Sequence, residues 1–281
     1  METVTLNNGV KMPLVGYGVF RITDSEECER CVLEALKAGY RLIDTAQAYH
    51  NEDAVGKAMV KSEVPRKAIF LTTKVWVTEF TYAKTKASVF ESMRKLQTDY
   101  LDLVLIHQCL GNYYAAYQAL EDLYKDGKIR AIGVSNFSAE RMADLAVFNE
   151  VTPAVNQVET HLFWQQDDLH KWMEKYKVQH EAWGPLAQHR IGDVMRHPVM
   201  AEIAGKYNKT PSQIALRHAV QRGIVVIPKS VDKTRMRENI DVFDFALTAE
   251  DMARIKALDE NKSLWCAYDD PMIVEYAMAE K

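Results

Sequence analysis

Tyr40-Arg41-Leu42-Ile43-Asp44 is a short β-rich run that ends in a carboxylate. Two later runs have the same form: Ile69-Phe70-Leu71-Thr72-Thr73 ends in Lys74, and Leu103-Val104-Leu105-Ile106 ends in His107. Tyr49 follows shortly after Asp44. In a barrel of parallel strands the C-terminal ends all lie at one mouth, so these side chains are predicted to converge. An acid, a base, a phenol and an imidazole would then share one pocket.

Strand-like runs alternate with helical patterns along the whole chain. The strands are predicted at Leu14 to Val19, Tyr40 to Asp44, Ala68 to Lys74, Leu101 to His107, Ile129 to Ser135, Ala154 to Glu159, Val178 to Trp183 and Ile224 to Pro228. The helices include Ser25 to Ala38, Thr81 to Leu96, Tyr114 to Lys125, Ala139 to Phe148, Asp167 to Tyr176 and Pro211 to Arg222. This alternation predicts a parallel sheet wrapped by helices, and eight units predict an α/β fold closed into a (β/α)8 TIM barrel. A doubly wound sheet is the alternative, but no Gly-x-Gly-x-x-Gly follows any strand.

Turn and cap residues mark the ends of several predicted elements. Asn8-Gly9 stands between two short alternating runs and predicts an N-terminal β-hairpin that plugs one end of the barrel. Ser138 and Thr210 are predicted to cap the N-termini of the helices that follow them, because their hydroxyls can accept from free backbone amides. Gly39 and Gly127 are predicted helix stops.

Composition narrows the class of protein. The chain has 281 residues, 48% hydrophobic and 26% charged, with a formal net charge of −4. The isoelectric point is near 6.1 and no basic stretch suits a phosphate backbone, so a nucleic-acid partner is not expected. The polar N-terminus and the absence of long apolar runs predict no membrane span and a cytoplasmic location. We expect residues 1–281 to form a single barrel domain.

The cysteines raise the question of a metal or redox site. Cys28 and Cys31 form a C-x-x-C, but the pair lies in a helical pattern without a second pair of ligands. A structural role on a helix is therefore favoured, and no metal site is predicted.

Several motifs, in this order, resemble the aldo-keto reductase family along nearly the whole chain. They are Gly39-Tyr40-Arg41-Leu42-Ile43-Asp44-Thr45-Ala46, Tyr49-His50-Asn51-Glu52, Val55-Gly56, Gly133-Val134-Ser135-Asn136-Phe137, Asn156-Gln157-Val158-Glu159 and Ile227-Pro228-Lys229-Ser230. Within the family the chain looks most similar to the prokaryotic 2,5-diketo-D-gluconate reductase and prostaglandin F synthase-like branch. The resemblance implies reduction of a small carbonyl compound with hydride from a nicotinamide.

Carbonyl reduction places negative charge on oxygen, so the site must supply a proton to that oxygen. Tyr49 is the candidate donor, and the ammonium of Lys74 is expected to pull the pKa of its phenol down. Asp44 is expected to keep Lys74 charged despite burial. His107 would orient the carbonyl as a neutral imidazole. These four residues match the catalytic tetrad of the family, which implies Tyr49 as the general acid.

The resemblance also implies the cofactor residues. Ser135, Asn136 and Gln157 would bind the nicotinamide carboxamide, and Trp183, in Trp183-Gly184-Pro185-Leu186, would stack on its ring. The adenosine end would be formed by Lys229, Ser230, Val231, Arg235, Glu238 and Asn239. The two cations among them, Lys229 and Arg235, can bind a 2′-phosphate, so NADPH is expected to be preferred over NADH. Asp232 could relax this preference by repulsion.

The loops depart from the family pattern. Gln108-Cys109-Leu110-Gly111 follows His107 without the usual proline, and the tail around Trp265 is unfamiliar. In this fold such loops set substrate choice, and the C-terminal segment is expected to lie over the mouth. The candidate substrate wall consists of Phe20, Trp76, Gln108 and Trp265, and its aromatics favour an apolar or aromatic carbonyl.

Two other functions remain open from sequence. A Schiff-base aldolase on the same barrel would use Lys74 or Lys229 as nucleophile. A non-catalytic module would bind the nucleotide without turning it over. The expected assembly is a monomer.

Overall fold

An eight-stranded parallel sheet forms the centre of the molecule in the computed structural model, which describes residues 2–265 and 270–279. Its strands, in chain and spatial order, are Tyr17–Gly18 (β3), Leu42–Asp44 (β4), Phe70–Val75 (β5), Leu103–Ile106 (β6), Ile132–Ser135 (β7), Val155–Glu159 (β8), Gln179–Trp183 (β9) and Val225–Val226 (β10). A separate antiparallel hairpin of Thr3–Thr5 (β1) and Lys11–Pro13 (β2) precedes them. The predicted hairpin is confirmed.

The sheet closes on itself at the seam between its first and last strands. Val15 bridges Val226 in parallel, with backbone bonds from Gly16 N to Val226 O at 2.8 Å and from Val226 N to Leu14 O at 3.0 Å. The predicted (β/α)8 barrel is thereby confirmed. Both seam strands are shorter than the sequence predicted, partly because Pro228 lacks the N–H that would extend the ladder.

Helices surround the barrel. Within the described ranges they are Ser25–Ala38 (α1), Glu52–Lys61 (α2), Tyr82–Lys95 (α3), Tyr113–Lys125 (α4), Ala139–Phe148 (α5), Asp167–Tyr176 (α6), Ile191–Arg196 (α7), Pro198–Tyr207 (α8), Pro211–Gln221 (α9), Lys233–Ile240 (α10), Ala249–Lys256 (α11) and Met272–Ala279 (α12). None of these helices has the length and apolar character that a membrane crossing requires.

Local signals in the sequence account for several of the helix ends. α1, α5 and α6 have the predicted bounds, and Gly39 closes α1 in the left-handed conformation with φ 105°. Thr210 opens α9 with a complete capping box. Ser138 precedes α5 but does not cap it, because its hydroxyl is instead 2.6 Å from the Glu140 carboxylate.

A second, smaller core lies beside the barrel. It is built from apolar side chains of α7, α8, α9 and α11, together with Leu162, Phe163 and Ala187 from the loops after β8 and β9. Because Ala187 and Val194 are fully buried in it, this core supports the long segment that leaves β9. The barrel mouth is therefore walled by packed structure on that side.

The packing of α2 against the end of α3 leaves no room for a side chain at Gly56. An added Cβ would lie 2.4 Å from the Lys95 carbonyl oxygen and 2.8 Å from the Leu96 carbonyl carbon. We expect Gly56→Ala to lower the free energy of unfolding by about 1–3 kcal/mol, because the backbone must move. Urea denaturation measures the change.

Gly205 in α8 is the matched control, since a Cβ there would meet no atom within 4 Å. Gly205→Ala should stabilise the protein by about 0.5–1 kcal/mol through helix propensity alone. Equal stability of Gly56→Ala and the wild type would contradict the close approach of α2 to α3.

Candidate active site

A cavity of about 890 Å³ opens at the C-terminal ends of the strands. Its lining includes every site residue predicted from sequence except Lys74, which lies fully buried below it. The barrel thus brings together side chains from β4, β5, β6, β7, β8 and β9 and from the loops that follow them. The candidate site occupies the mouth at which the sequence placed it.

Lys74 is the centre of a buried polar cluster. Its ammonium donates to Asp44 Oδ1 at 2.5 Å, to the Thr45 carbonyl at 2.9 Å and to the Tyr49 hydroxyl at 3.3 Å. These contacts provide an acceptor for each of its three N–H groups. Burial opposes the charge, yet Asp44 and Tyr49 hold the pKa of Lys74 above its ordinary value, so the group is a cation.

The pKa of Tyr49 differs from the sequence-based expectation. Burial raises it, and although Lys74 lowers it as expected, the net pKa lies above the ordinary value for a phenol. The negative charge of Asp44 contributes to this rise, and Glu181 adds to it when it is ionised. Tyr49 therefore carries its proton at neutral pH and can act as a donor.

His107 faces the cavity as a neutral ring. Burial, and next the charge of Lys74, lower the pKa of His107 well below its ordinary value, in agreement with the predicted neutral imidazole. Its Nδ1 has no hydrogen-bond partner in the described part of the chain. The ring packs edge-on against Tyr49 and Trp76, with centroids 5.6 and 4.9 Å away. A neutral imidazole beside the phenol can hydrogen-bond a substrate oxygen without adding charge.

The three predicted carboxamide-binding residues lie together at the adjacent ends of β7 and β8. Ser135 Oγ donates to the Gln157 carbonyl at 2.8 Å. Asn136 has φ 65° and donates to the His107 carbonyl at 3.0 Å, which ties the β7 loop to the end of β6. Gln157 Nε2 donates to Asp44 at 2.8 Å and to Glu181 at 2.9 Å. Their positions are thus set by bonds within the protein.

Aromatic side chains wall the cavity. Trp183 donates its indole N–H to Asn136 Oδ1 at 2.8 Å, and its ring meets Trp265 edge-on at 6.4 Å. Phe20 lies 5.0 Å from the Tyr49 ring. Trp76 and Gln108 complete the predicted wall. All four predicted wall residues therefore line the space beside Tyr49 and His107.

The C-terminal segment is anchored to the barrel by Glu159 at the end of β8. The carboxylate accepts from Ser263 Oγ at 2.5 Å and from Leu264 N at 2.9 Å, just before Trp265. This places Trp265 in the cavity wall, over the mouth as predicted. The rest of the unfamiliar tail, residues 266–269 with Cys266, lies outside the described residues.

The far end of the cavity is polar and carries charges of both signs. Lys229, Ser230, Val231, Arg235, Glu238 and Asn239 all line it. Asp232 also lines it, but its carboxylate caps α10 by accepting from Arg235 N at 2.9 Å. In the described residues no carboxylate pairs with Lys229 or Arg235, so two cations are available there.

Sequence reasoning missed part of the lining. The segment from Gln188 to Arg196 borders the cavity, and the exposed Arg21 lies at its rim with its guanidinium 5.2 Å from the Phe20 ring. The segment that follows β9 could have been predicted to border the site, because loops after the late strands of this fold commonly bind phosphate. Glu181 beneath the cavity was also missed, since an acid inside a strand has no local signature.

The cysteine pair of α1 lies away from this chemistry. Cys28 and Cys31 are both fully buried, and burial raises the pKa of Cys28 to about 12. Such a thiol is protonated at neutral pH and a poor nucleophile.

The chain matches known proteins over most of its length. The model of the Aldo/keto reductase family matches residues 14–260. Glyoxal reductase of Bacillus subtilis (strain 168) is 45% identical over 262 residues, which cover 93% of this chain and 94% of that protein. These matches cover the whole barrel.

Solved structures agree with the sequence match. MGS-M4, an aldo-keto reductase from a Medee basin deep-sea metagenome library, is 44% identical with a TM-score of 0.92, over 95% of this chain and 98% of that one. The Bombyx mori aldo-keto reductase AKR2E4, solved in complex with NADP, is 30% identical with a TM-score of 0.89, over 98% and 96%. The resemblance seen in the motifs is confirmed, and the chain belongs to the aldo/keto reductase family.

Proposed function

We propose that this protein reduces aldehydes and ketones to alcohols with NADPH, using Tyr49 as the general acid. Membership of the family makes it an NADP(H)-dependent oxidoreductase. The observation that carries the finer proposal is the contact of the buried Lys74 ammonium with both Asp44 and the Tyr49 hydroxyl. Protonated phenol, cation and carboxylate are the groups that a proton transfer to a carbonyl oxygen requires.

The cavity fits an extended dinucleotide. Its volume of about 890 Å³ suits a ligand larger than a small carbonyl compound, with aromatic and amide groups at one end and cations at the other. Ser135, Asn136 and Gln157 would hold the carboxamide, and Trp183 with Gly184-Pro185-Leu186 would border the nicotinamide ring. Gln157 presents only its acceptor oxygen, because both its N–H groups are engaged below.

NADPH held by these residues would supply the hydride for the carbonyl carbon and would be left as NADP+. Tyr49 donates its hydroxyl proton to the carbonyl oxygen, and the C=O bond becomes a C–O–H. Lys74 stabilises the phenolate that remains, because its ammonium lies 3.3 Å from that oxygen. His107 binds the carbonyl oxygen before the transfer, and the apolar wall excludes water.

The aromatic wall supports a proposal for the substrate class. Phe20 packs beside Tyr49, and Trp76 and Trp265 line the same cavity, which favours an apolar or aromatic carbonyl over a bare sugar. The Schiff-base alternative is disfavoured for Lys74, because an imine-forming lysine must be neutral and this one is held charged. The single domain over residues 1–281, the monomeric state and the cytoplasmic location stay predictions.

Tyr49→Phe removes only the hydroxyl and should lower kcat for carbonyl reduction by about 10²- to 10⁴-fold, since the proton donor is lost. NADPH should still bind with little change in Kd. The loss of NADPH absorbance measures kcat with a panel of aromatic aldehydes, α-dicarbonyls and keto-sugars. Fluorescence titration measures the Kd for NADPH.

Tyr117→Phe is the matched control, because this buried hydroxyl bonds the Val151 carbonyl at 2.9 Å outside the cavity. It should retain kcat. Undiminished turnover by Tyr49→Phe would disprove the assigned proton donor, and tight NADPH binding by the wild type without any turnover would favour the non-catalytic alternative.

Arg235→Gln should weaken NADPH binding by about 10- to 100-fold and leave NADH almost unaffected, since a charged hydrogen bond to the 2′-phosphate is lost. The ratio of Kd values for the two cofactors measures the effect. Arg237→Gln on the same helix is the control, because Arg237 is exposed and does not line the cavity. An unchanged ratio in Arg235→Gln would place the 2′-phosphate elsewhere.

A further inference from the structure

Glu181 on β9 is a fully buried acid that the proposed mechanism does not use. Its register partners in the neighbouring strands are Gln157 on β8 and Val225 on β10. Only one of its two oxygens is partnered in the described residues: Oε2 accepts from Gln157 Nε2 at 2.9 Å, and Oε1 has no hydrogen bond. A buried carboxyl group in this state needs a physical explanation.

Gln157 connects Glu181 to the catalytic cluster. An amide nitrogen has two N–H groups, and here one points to Asp44 Oδ2 and the other to Glu181 Oε2. The reversed amide would set its oxygen against the Asp44 carboxylate, so Asp44 fixes which end of Gln157 faces the cavity, and Glu181 accepts the second N–H. Glu181 therefore helps to hold a side chain that borders the proposed nicotinamide site.

If Asp44 and Glu181 are both ionised, the negative charge around Glu181 exceeds the positive charge. The titratable groups that act on it are Asp44 and Lys74, and Gln157 and Val225 add no charge. Two buried carboxylates would then face one ammonium. Asp44 accepts a hydrogen bond from that ammonium at 2.5 Å, whereas in the described part of the chain Glu181 accepts only from the amide of Gln157. The excess charge is removed if Glu181 carries a proton.

The titration of Glu181 follows from the same contacts. Burial, and next the charge of Asp44, raise the pKa of Glu181 to about 8. A raised pKa means that the carboxyl group is neutral at neutral pH and ionises as the solution becomes alkaline. Ionised Glu181 raises the pKa of Tyr49 and makes the phenol a weaker proton donor.

We propose that Glu181 is a positioning residue for carbonyl reduction: as a neutral acid it holds Gln157 against Asp44, and its ionisation in alkaline solution weakens Tyr49 as a proton donor. The inference rests on the proposed function. It adds a buried acid that acts on the substrate only through Gln157, Asp44 and Tyr49.

Glu181→Gln replaces the neutral acid by a neutral group of the same shape. At about pH 6.5 its kcat should lie within about twofold of the wild type, because Glu181 is protonated there. Between about pH 7 and pH 9 the wild-type kcat should fall by roughly three- to tenfold while that of the variant stays level. A full pH profile of kcat and kcat/KM measures this, and superimposable profiles of variant and wild type would overturn the proposal.

Glu121→Gln is the matched control. Glu121 is a buried acid on α4 that accepts from Val151 N at 2.8 Å, outside the cavity. Its variant should keep the wild-type profile. A change of the same size in Glu121→Gln would mean that loss of any buried acid alters the profile, which would overturn the assignment to Glu181.

Glu181→Leu separates the orienting role from the charge. It removes the acceptor of one Gln157 N–H, so the Kd for NADPH should rise by about three- to tenfold, whereas Glu181→Gln should bind NADPH as the wild type does. Equal Kd values for the leucine and glutamine variants would contradict the support of Gln157 by Glu181.

Infrared spectroscopy of the wild-type protein and of Glu181→Gln, with and without ¹³C-glutamate labelling, provides a test that needs no turnover. A carbonyl band of a protonated glutamic acid should be present in the wild type at neutral pH, disappear in alkaline solution and be missing from Glu181→Gln, which separates it from any band of the buried Glu52. Its absence at neutral pH would overturn the proposal. If no carbonyl is reduced by the wild type, the proposed function fails, and this titration still decides whether Glu181 holds a proton.

Discussion

The ion pair of Lys74 and Asp44 is the interaction on which the barrel mouth depends. Both groups are buried at the ends of adjacent strands, and an ammonium in that place is stable only with a carboxylate and further acceptors around it. The Thr45 carbonyl and the Tyr49 hydroxyl supply those acceptors. The loop after β4 is therefore held in the conformation that presents Tyr49 to the cavity.

Burial acts on each titratable group of this cluster, with different outcomes. It lowers the pKa of His107, which has no carboxylate partner among the described residues and stays neutral. Burial also opposes the charge of Lys74, but the attraction of Asp44 outweighs it and the pKa of Lys74 is raised. For Tyr49, burial raises the pKa by more than the charge of Lys74 lowers it. The result is one fixed cation between a carboxylate and a protonated phenol, which is suited to stabilising charge after a proton leaves.

The segments around the cavity are held by contacts outside the regular barrel units. Glu159 ties the C-terminal segment to the end of β8, and the second core supports the loop after β9. The Asp232 carboxylate, which was expected to repel a phosphate, caps the N-terminus of α10 by accepting from Arg235 N. A carboxylate at the start of a helix accepts a hydrogen bond from a free backbone N–H and interacts favourably with the helix dipole. Both effects stabilise the helix without any ligand.

The sequence by itself determined the order of strands and helices, the barrel, and the strand-end residues Asp44, Lys74 and His107. These follow from local periodicity, turn residues and the rule that parallel strands end at one face. Only the tertiary structure decided the net pKa of Tyr49, the partners of Gln157 and the place of Glu181. Those properties depend on burial and on charges from strands far apart in the chain, and no local pattern of residues encodes either.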